Sequence, residues 1–560
     1  MEIPLLHPHD DTPHDACGVF GIYGHARAAE AVFFGLFALQ HRGQESAGIC
    51  VAGAHGLAGH TGMGLASEVL TPAVVNRLDG AAAIGHVRYS TTGSSNLKNA
   101  QPLIVDYARG QLAVAHNGNL VNAYSLRKEL EAGGSIFQTT TDSEIVIHLM
   151  ARPLNAPLDE VLVSVFRRVR GAFSIVLLTP DALIGVRDPH GFRPLSLGRL
   201  DDAYVLASET SAFDLTGATF VRDVAPGEIV IITNNGIQSL KYGTDATPSL
   251  CIFEYVYFAR PDSRIDGRTC HVVRKALGRQ LAKEYPVEAD IVVAVPDSGN
   301  SAALGYSEQS GIPLDIGYIR NHYVGRTFIS PCQVDRDMKV RVKLNVVPDV
   351  VRGKRVVIVD DSIVRGTTTF SRVSELKKAG AKEVHVRIGC PPLRFPCFYG
   401  IDFHSHDQLI AARHTIAEIQ QFLCAESLGY LSLEGMLAAC GGGPGFCCAC
   451  FTGAYPVAIE EQANKTMMER AHKIIQKDVP ASVASAELGS APAPADAPVA
   501  EAKPARQKRT AKAKAKAAAP AAAAAADRTD RTDRTDRTDP ASPAAAAPAA
   551  AAMDELFTLQ

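Results

Sequence analysis

Short apolar runs separated by polar loops recur from residue 17 to about 245. Cys17–Tyr23, Ala83–Val87, Leu112–Ala115, Ser174–Leu178 and Glu228–Thr233 are four to seven residues long, which is strand length. Between them, Ala28–Gln40 and Asp142–Ala151 repeat apolar residues at helical spacing. The mixture predicts sheets covered by helices, an α+β arrangement. From about 250 to 475 the order changes. Apolar strands such as Ile291–Val295 and Val356–Val359 each run into a small polar loop and then a helical stretch. That alternation predicts an α/β domain with a parallel sheet, in which ligands sit beyond the carboxyl ends of the strands.

Beyond residue 478 the pattern stops. The segment 479–560 is dominated by Ala and Pro, with seven Lys or Arg between Lys503 and Lys516 and four Arg-Thr-Asp triplets between Arg528 and Asp539. Aromatic and branched apolar residues are almost absent, so no core offsets the entropy of ordering, and a disordered tail is expected. The basic run reads as a solvated appendage.

Composition narrows the class. At 560 residues the chain exceeds one ordinary core. With 46% hydrophobic and 21% charged residues and a net charge of −3, it reads as globular, with no electrostatic reason to bind nucleic acid. No apolar run reaches the roughly 18 residues of a membrane span, and the first 16 residues lack a signal-like apolar stretch. Twelve cysteines are too sparse for a disulfide scaffold. Cytoplasmic thiols are expected, and clustered ones are candidates for catalysis or metal binding.

The stretch Arg355–Thr369 carries the most specific chemistry. A buried strand ends in Asp360 and Asp361 and continues through Ser362, Gly366, Thr367 and Thr368 toward a helix expected near Phe370. Adjacent carboxylates at a strand end can bind a ribose diol and lie near Mg²⁺. Gly366 admits a phosphate close to the backbone, and Thr hydroxyls and N–H groups at a helix start donate to it. This resembles the phosphoribosyl pyrophosphate (PRPP) motif of type I phosphoribosyltransferases. Pro296–Ser301, after another strand, resembles that family's pyrophosphate loop. The resemblance implies that Ser298 joins Asp360 and Asp361 around Mg²⁺. Tyr318–Ile329 resembles the loop that closes over PRPP and excludes water, with Lys343-Leu344-Asn345 following it.

A second constellation lies near the start. Cys17 heads a strand. His86-Val87-Arg88-Tyr89-Ser90-Thr91 is expected to follow a strand, and its guanidinium suits a substrate carboxylate. His116-Asn117-Gly118-Asn119 is expected to follow another, where the Asn117 amide and Gly118 N–H suit an oxyanion. Asp142, opening a helix, suits an α-ammonium, and Leu39–Gln44 ends the first helix. Together these resemble the glutaminase half of the N-terminal-nucleophile amidotransferases, an αββα sandwich. The resemblance implies a propeptide, 1–16, removed so that the Cys17 α-amine serves as base for its own thiol. His86 and His116 are expected to be structural. So are Asp188–Leu195 and Ala207–Thr210, read as a turn and a strand end that shape the domain.

The cysteines allow two metals. Cys447-x-x-Cys450 with two distant cysteines suits structural Zn²⁺ on spacing alone. Cys251, Cys397, Cys447 and Cys450, in their sequence contexts, resemble the [4Fe–4S] ligands of one branch of the amidophosphoribosyltransferase family. Cys440 or Cys448 could replace Cys447. Cys50, Cys270, Cys332, Cys390 and Cys424 are expected to be buried small hydrophobes.

The family resemblance covers Cys17 to about Ile475. It implies a glutaminase domain at 17–245, a phosphoribosyltransferase domain at 246–478, and synthesis of phosphoribosylamine from glutamine, water and PRPP, opening purine synthesis. It also implies a homotetramer inhibited by purine nucleotides. A different glutamine amidotransferase would lack Asp360-Asp361-Ser362 with Gly366-Thr367-Thr368. A PRPP-sensing regulator would not need Cys17, Arg88, Asn117 and Asp142 together.

Overall fold

The polar loops of the first half close antiparallel sheets. The computed structural model describes residues 17–89, 93–152, 155–243, 246–321, 344–403, 405–442 and 445–460. The expectations for 1–16, Ser90 and Thr91, 322–343 (which includes Cys332 and most of the closing loop) and 479–560 lie outside the described residues.

Among the described residues, one sheet has the strand order Thr219–Asp223, Ser196–Leu200, Ala203–Ala207, Gly18–Tyr23, Ala82–Arg88, Ser46–Gly53, Gly56–Met63. The other runs Gly236–Lys241, Glu228–Thr233, Leu183–Arg187, Gly171–Leu178, Gly110–Leu120, Leu103–Tyr107. Three apolar layers hold them. Val19, Ile84, Ala113, Val176, Leu206 and Val230 pack between the sheets. Phe20, Ile22, Ile49 and Val205 pack with residues of the helices Ala28–Ala38 and Ser211–Thr216. Val114, Ile175 and Leu177 pack with residues of Ala123–Ala132, Ser143–Met150 and Leu158–Arg168. This is an αββα sandwich. The inner strands bury both faces, which is why they read as unbroken apolar runs and not as alternation.

Two strands run further than expected. His86–Arg88 belongs to Ala82–Arg88, and His116–Leu120 belongs to Gly110–Leu120, so neither motif follows its strand. Ladder pairing with Gly171–Ser174 carries the second strand on through polar residues.

In the second half, Leu314–Asp315, Ile291–Ala294, Arg355–Asp360, Glu383–Ile388 and Ser427–Tyr430 form a parallel sheet in that order. The helix after Asp360 begins at Thr367, earlier than the expected Phe370, with Gly366 as its cap at φ +82°. The loops after Ile291–Ala294 and Arg355–Asp360 lie at the carboxyl ends of adjacent strands.

The halves are tied by buried charge. Arg42 pairs with Glu209 and with Glu254, and Arg193 Nη1 donates to Glu254 at 3.0 Å; none of these four side chains is exposed. Glu209 also accepts from the Arg260 N–H at 2.9 Å and from Ser263 Oγ at 2.6 Å. Burial alone would raise the Glu209 carboxyl, but Arg42 and then His41 hold it well below the usual range. The stretches 188–195 and 207–210, expected to be a turn and a strand end, are therefore part of the bridge between the halves. Glu254→Ala leaves the Arg193 guanidinium buried without its carboxylate and Arg42 with Glu209 alone. It should cost about 3–5 kcal/mol, read as a lower denaturant midpoint at unchanged slope. A midpoint like wild type would mean that the network relaxes onto water.

Candidate functional site

Cys17 enters the first strand at the mouth of a small cavity, only 5% exposed. Its Sγ donates to the Tyr89 carbonyl at 3.3 Å. Burial raises the thiol, and Arg88 pulls it back down only in part. Its backbone nitrogen is here an amide, joined to Ala16.

Arg88, Gly118 and Asp142 line the same cavity. Arg88 Nη1 donates to the Ser94 carbonyl at 3.3 Å. Asp142 stands at the N-cap of Ser143–Met150, yet its carboxylate caps nothing there. It accepts from the Leu120 N–H at 2.8 Å and lies 3.6 Å from His116 Nδ1. Burial raises the Asp142 acid, but His116 and the Leu120 N–H outweigh it, so the group is held below its ordinary range. A carboxylate and a guanidinium lining one cavity suit an amino acid's ammonium and carboxylate.

Asn117 is fully buried. Its Nδ2 lies 3.3 Å from Ser208 Oγ, which also accepts the Val19 N–H at 3.0 Å. Among the described residues, Asn117 Oδ1 has no hydrogen-bond partner. Gly118 sits at φ +141°, and a Cβ there would stand 2.0 Å from the Ala172 carbonyl. Only glycine allows that close passage of the two strands.

His86 Nε2 donates to the His116 carbonyl at 3.0 Å, and burial lowers its pKa to about 3. It is a neutral structural histidine. His116 lines the cavity. Gln101, which the sequence pattern did not mark, bridges the site. It accepts the His116 N–H at 2.8 Å and donates to Ser143 Oγ at 3.0 Å. A lone Gln before Pro has no periodicity to flag it. Ser208, also missed, matters because it orients Asn117.

At the second site, Asp360, Asp361 and Ser362 are all buried. The Asp361 N–H donates to Asp360 Oδ1 at 3.0 Å, and Ser362 Oγ donates to Asp361 Oδ1 at 2.5 Å. Arg372 Nη1 pairs with Asp360 Oδ2 at 2.6 Å. Burial raises Asp360, Arg372 opposes it and Asp361 adds to it, leaving the acid raised to about 8. The neighbouring loop is seated closely. The Val295 N–H donates to the Val359 carbonyl at 2.9 Å, and a Cβ on Gly299 would stand 2.4 Å from the same oxygen. Ser298 thus lies in the loop after one strand and Asp360 at the end of the adjacent strand, with the helices Asn300–Ser310 and Thr367–Lys378 following. Two helix starts beside paired acids suit a site for an anion and a cation.

Known proteins resemble this chain over most of its length. Residues 86–215 match a glutamine amidotransferase domain family. Over 452 residues the chain is 49% identical to an amidophosphoribosyltransferase of Bacillus subtilis, covering 80% of this chain and 95% of that protein. The chain belongs to the amidophosphoribosyltransferase family. Two solved structures at 48% identity superpose on it. One is described as the allosteric regulatory enzyme of purine biosynthesis, with TM-score 0.78 over 81% of this chain and 99% of that one. The other is the glutamine PRPP amidotransferase of B. subtilis complexed with ADP and GMP, with TM-score 0.77 over 80% and 100%.

Within this amidophosphoribosyltransferase fold the cysteines sort into groups. Cys251 and Cys447 are paired residues of a short parallel ladder. The Arg394 and Phe395 N–H groups donate to the Cys450 carbonyl, both at 3.0 Å. The Tyr399 N–H reaches Cys397 Sγ at 3.4 Å. All four thiols are buried. Burial raises each of them; Cys251 and Cys397 raise both Cys447 and Cys450 further, with Cys448 also acting on Cys447 and Cys447 on Cys450. Cys440 feels Cys448 in place of these. Arg193 supplies a buried cation facing Cys251 and Cys397. Among the described residues, no three His, Cys, Asp or Glu side chains stand as a ready single-ion site. Cys50, Cys270 and Cys390 are buried as expected, but Cys424 is exposed, turned out at the left-handed end of the helix Ile416–Leu423. No helix among the described residues is long and apolar enough to cross a membrane.

Proposed function

We propose that this chain converts glutamine, PRPP and water into 5-phosphoribosylamine, glutamate and pyrophosphate, the opening step of purine synthesis. The observation that carries the reading is one chain holding two distinct sites. Cys17 shares a cavity with Arg88, Gly118 and Asp142, and paired acids stand at the end of a parallel strand beside two helix N-termini.

At the first site, release of residues 1–16 would leave Cys17 with a free amine as base. Arg88 would grip the glutamine carboxylate and Asp142 its ammonium. The thiolate would attack the side-chain amide, and the Gly118 N–H, with the Asn117 amide once it turns from Ser208, would donate to the oxyanion. Ammonia leaves, and water then frees glutamate from the thioester. At the second site Asp360 and Asp361 would hold the ribose hydroxyls. Ser362, Gly366, Thr367 and Thr368 would cradle the 5′-phosphate, and the loop holding Ser298 would meet the pyrophosphate. Ammonia attacks the ribose carbon as pyrophosphate departs. A Mg²⁺ held with Ser298, Asp360 and Asp361 would supply charge neutralisation for the pyrophosphate.

The four buried thiols fit a [4Fe–4S] cluster on Cys251, Cys397, Cys447 and Cys450, with the Arg193 cation offsetting thiolate charge. Such a group would tie the start of the second domain to its end. Anaerobically purified protein should be brown and carry about four iron and four sulfide per chain. One zinc and no sulfide would refute the cluster and leave both substrate sites untouched. Separate Ser substitutions should find Cys448 nearly silent, because it is only partly buried and the two-residue spacer turns Cys447 and Cys450, not Cys448, toward one centre. A tetramer inhibited by purine nucleotides, working in the cytoplasm, accompanies this reading.

Glutamate release by purified protein, with and without PRPP, tests the function. PRPP-stimulated release with pyrophosphate formation is expected. Release indifferent to PRPP, with no pyrophosphate, would assign the chain to another amidotransferase reaction.

A further inference from the structure

One segment of the second half reaches into the glutamine site. The turn from Cys397 to Asp402 touches that site's wall at three points. Asn119 Nδ2 donates to the Phe398 carbonyl at 2.8 Å. Gly400, at φ +104°, lies so close that a Cβ there would stand 3.2 Å from the Gly118 carbonyl carbon and 3.1 Å from Arg193 Nη2. Tyr89 Oη reaches Asp402 Oδ2 at 3.5 Å, and the Tyr89 carbonyl accepts from the Cys17 thiol.

The turn is itself rigidly held. Arg193 Nη2 donates to the Tyr399 carbonyl at 2.8 Å, and the Tyr399 ring stacks on Phe192 with centroids 4.5 Å apart. Tyr399 Oη donates to the Val457 carbonyl at 2.7 Å. The Cys397 N–H donates to the Phe403 carbonyl at 3.0 Å, closing the turn.

We propose that the Cys397–Asp402 turn is a positioning element for glutamine hydrolysis: through Asn119 and Gly400 it fixes the Asn117–Gly118 strand end at the oxyanion geometry. This rests on the glutaminase reading above. The physical case is that an oxyanion donor works only when its position is preset, and a displacement of about 1 Å can cost roughly 100-fold in rate. Gly118 has backbone support on one side from Ala172. On the other, the described support is the Gly400 turn, contributed by the phosphoribosyl half. Asn119 is therefore a positioning residue that connects the two halves, and its amide touches no reacting atom.

The test uses the full chain and three variants. Asn119→Ala removes the tie, Asn119→Asp keeps its shape and loses its donor, and Gly400→Ala forces the turn away from Gly118. Each should lower kcat for glutamine hydrolysis by about 10- to 100-fold, with KM for glutamine within about threefold of wild type, because Arg88 and Asp142 are untouched. Ammonia-dependent synthesis from PRPP should remain near wild type in all three, which general unfolding would not allow. Glutamine kcat within twofold of wild type in both Asn119 variants overturns the proposal. So does an equal loss of glutamine- and ammonia-dependent rates, which would make the contact merely structural. Wild-type protein that releases no glutamate at all would remove the underlying glutaminase reading, and that result is read before any variant is compared.

Discussion

Cys17→Ala should abolish glutamine-dependent synthesis while ammonia-dependent synthesis survives. In the proposed reading the thiol is the nucleophile of the first site and takes no part in the second, whose acids stand on a different sheet. The expected loss is complete to the detection limit, because no other nucleophile in the cavity can form the thioester. Intact mass of active wild type should correspond to a chain beginning at Cys17. A chain retaining residues 1–16 keeps the Cys17 nitrogen as an amide and its thiol raised by burial, so it should not hydrolyse glutamine. Full activity with those residues attached would eliminate the α-amine as base.

The acids of the second site should behave oppositely, with both nitrogen sources affected alike. Asp360→Asn or Asp361→Asn should lower glutamine- and ammonia-dependent synthesis together by about two to three orders of magnitude. Each removes a carboxylate from the place where the ribose and Mg²⁺ would be held. Asp360→Asn also strips Arg372 of its 2.6 Å partner, so its melting temperature should be followed in parallel. Asp361→Asn leaves that pair intact and isolates the catalytic loss. Wild-type rates in both variants would reduce the motif to a capped turn.

Much of this organisation was legible in the sequence, for identifiable reasons. The Val356–Val359 run is buried on both faces of a parallel sheet, so burial wrote it as an unbroken apolar block. Gly366, Thr367 and Thr368 stood out because the phosphate site proposed above needs small residues and helix-start donors. The exact helix start was not, since three consecutive threonines favour caps and loops in isolation. The strand end at His116–Leu120 was hidden for a related reason. Its residues are polar, and only pairing with Gly171–Ser174 keeps them extended. The Arg42–Glu209–Glu254–Arg193 network was illegible because its members lie up to 212 positions apart and no local period links them. The roles of Ser208 and Gln101 were missed because each acts through hydrogen bonds to elements distant in sequence. Cys424 was misplaced because residue type alone cannot tell a buried thiol from an exposed helix end.

The central claim is that nitrogen released at Cys17 is consumed at Asp360 and Asp361 within the same molecule. The most direct measurement supplies glutamine labelled with ¹⁵N at its amide, together with PRPP and an excess of unlabelled ammonium, and reads the isotope in the phosphoribosylamine product. The account predicts product enriched in ¹⁵N well above the bulk ammonia pool, with glutamate and pyrophosphate formed in equal amounts. Product matching the bulk pool, or glutamate formed without pyrophosphate, would contradict it.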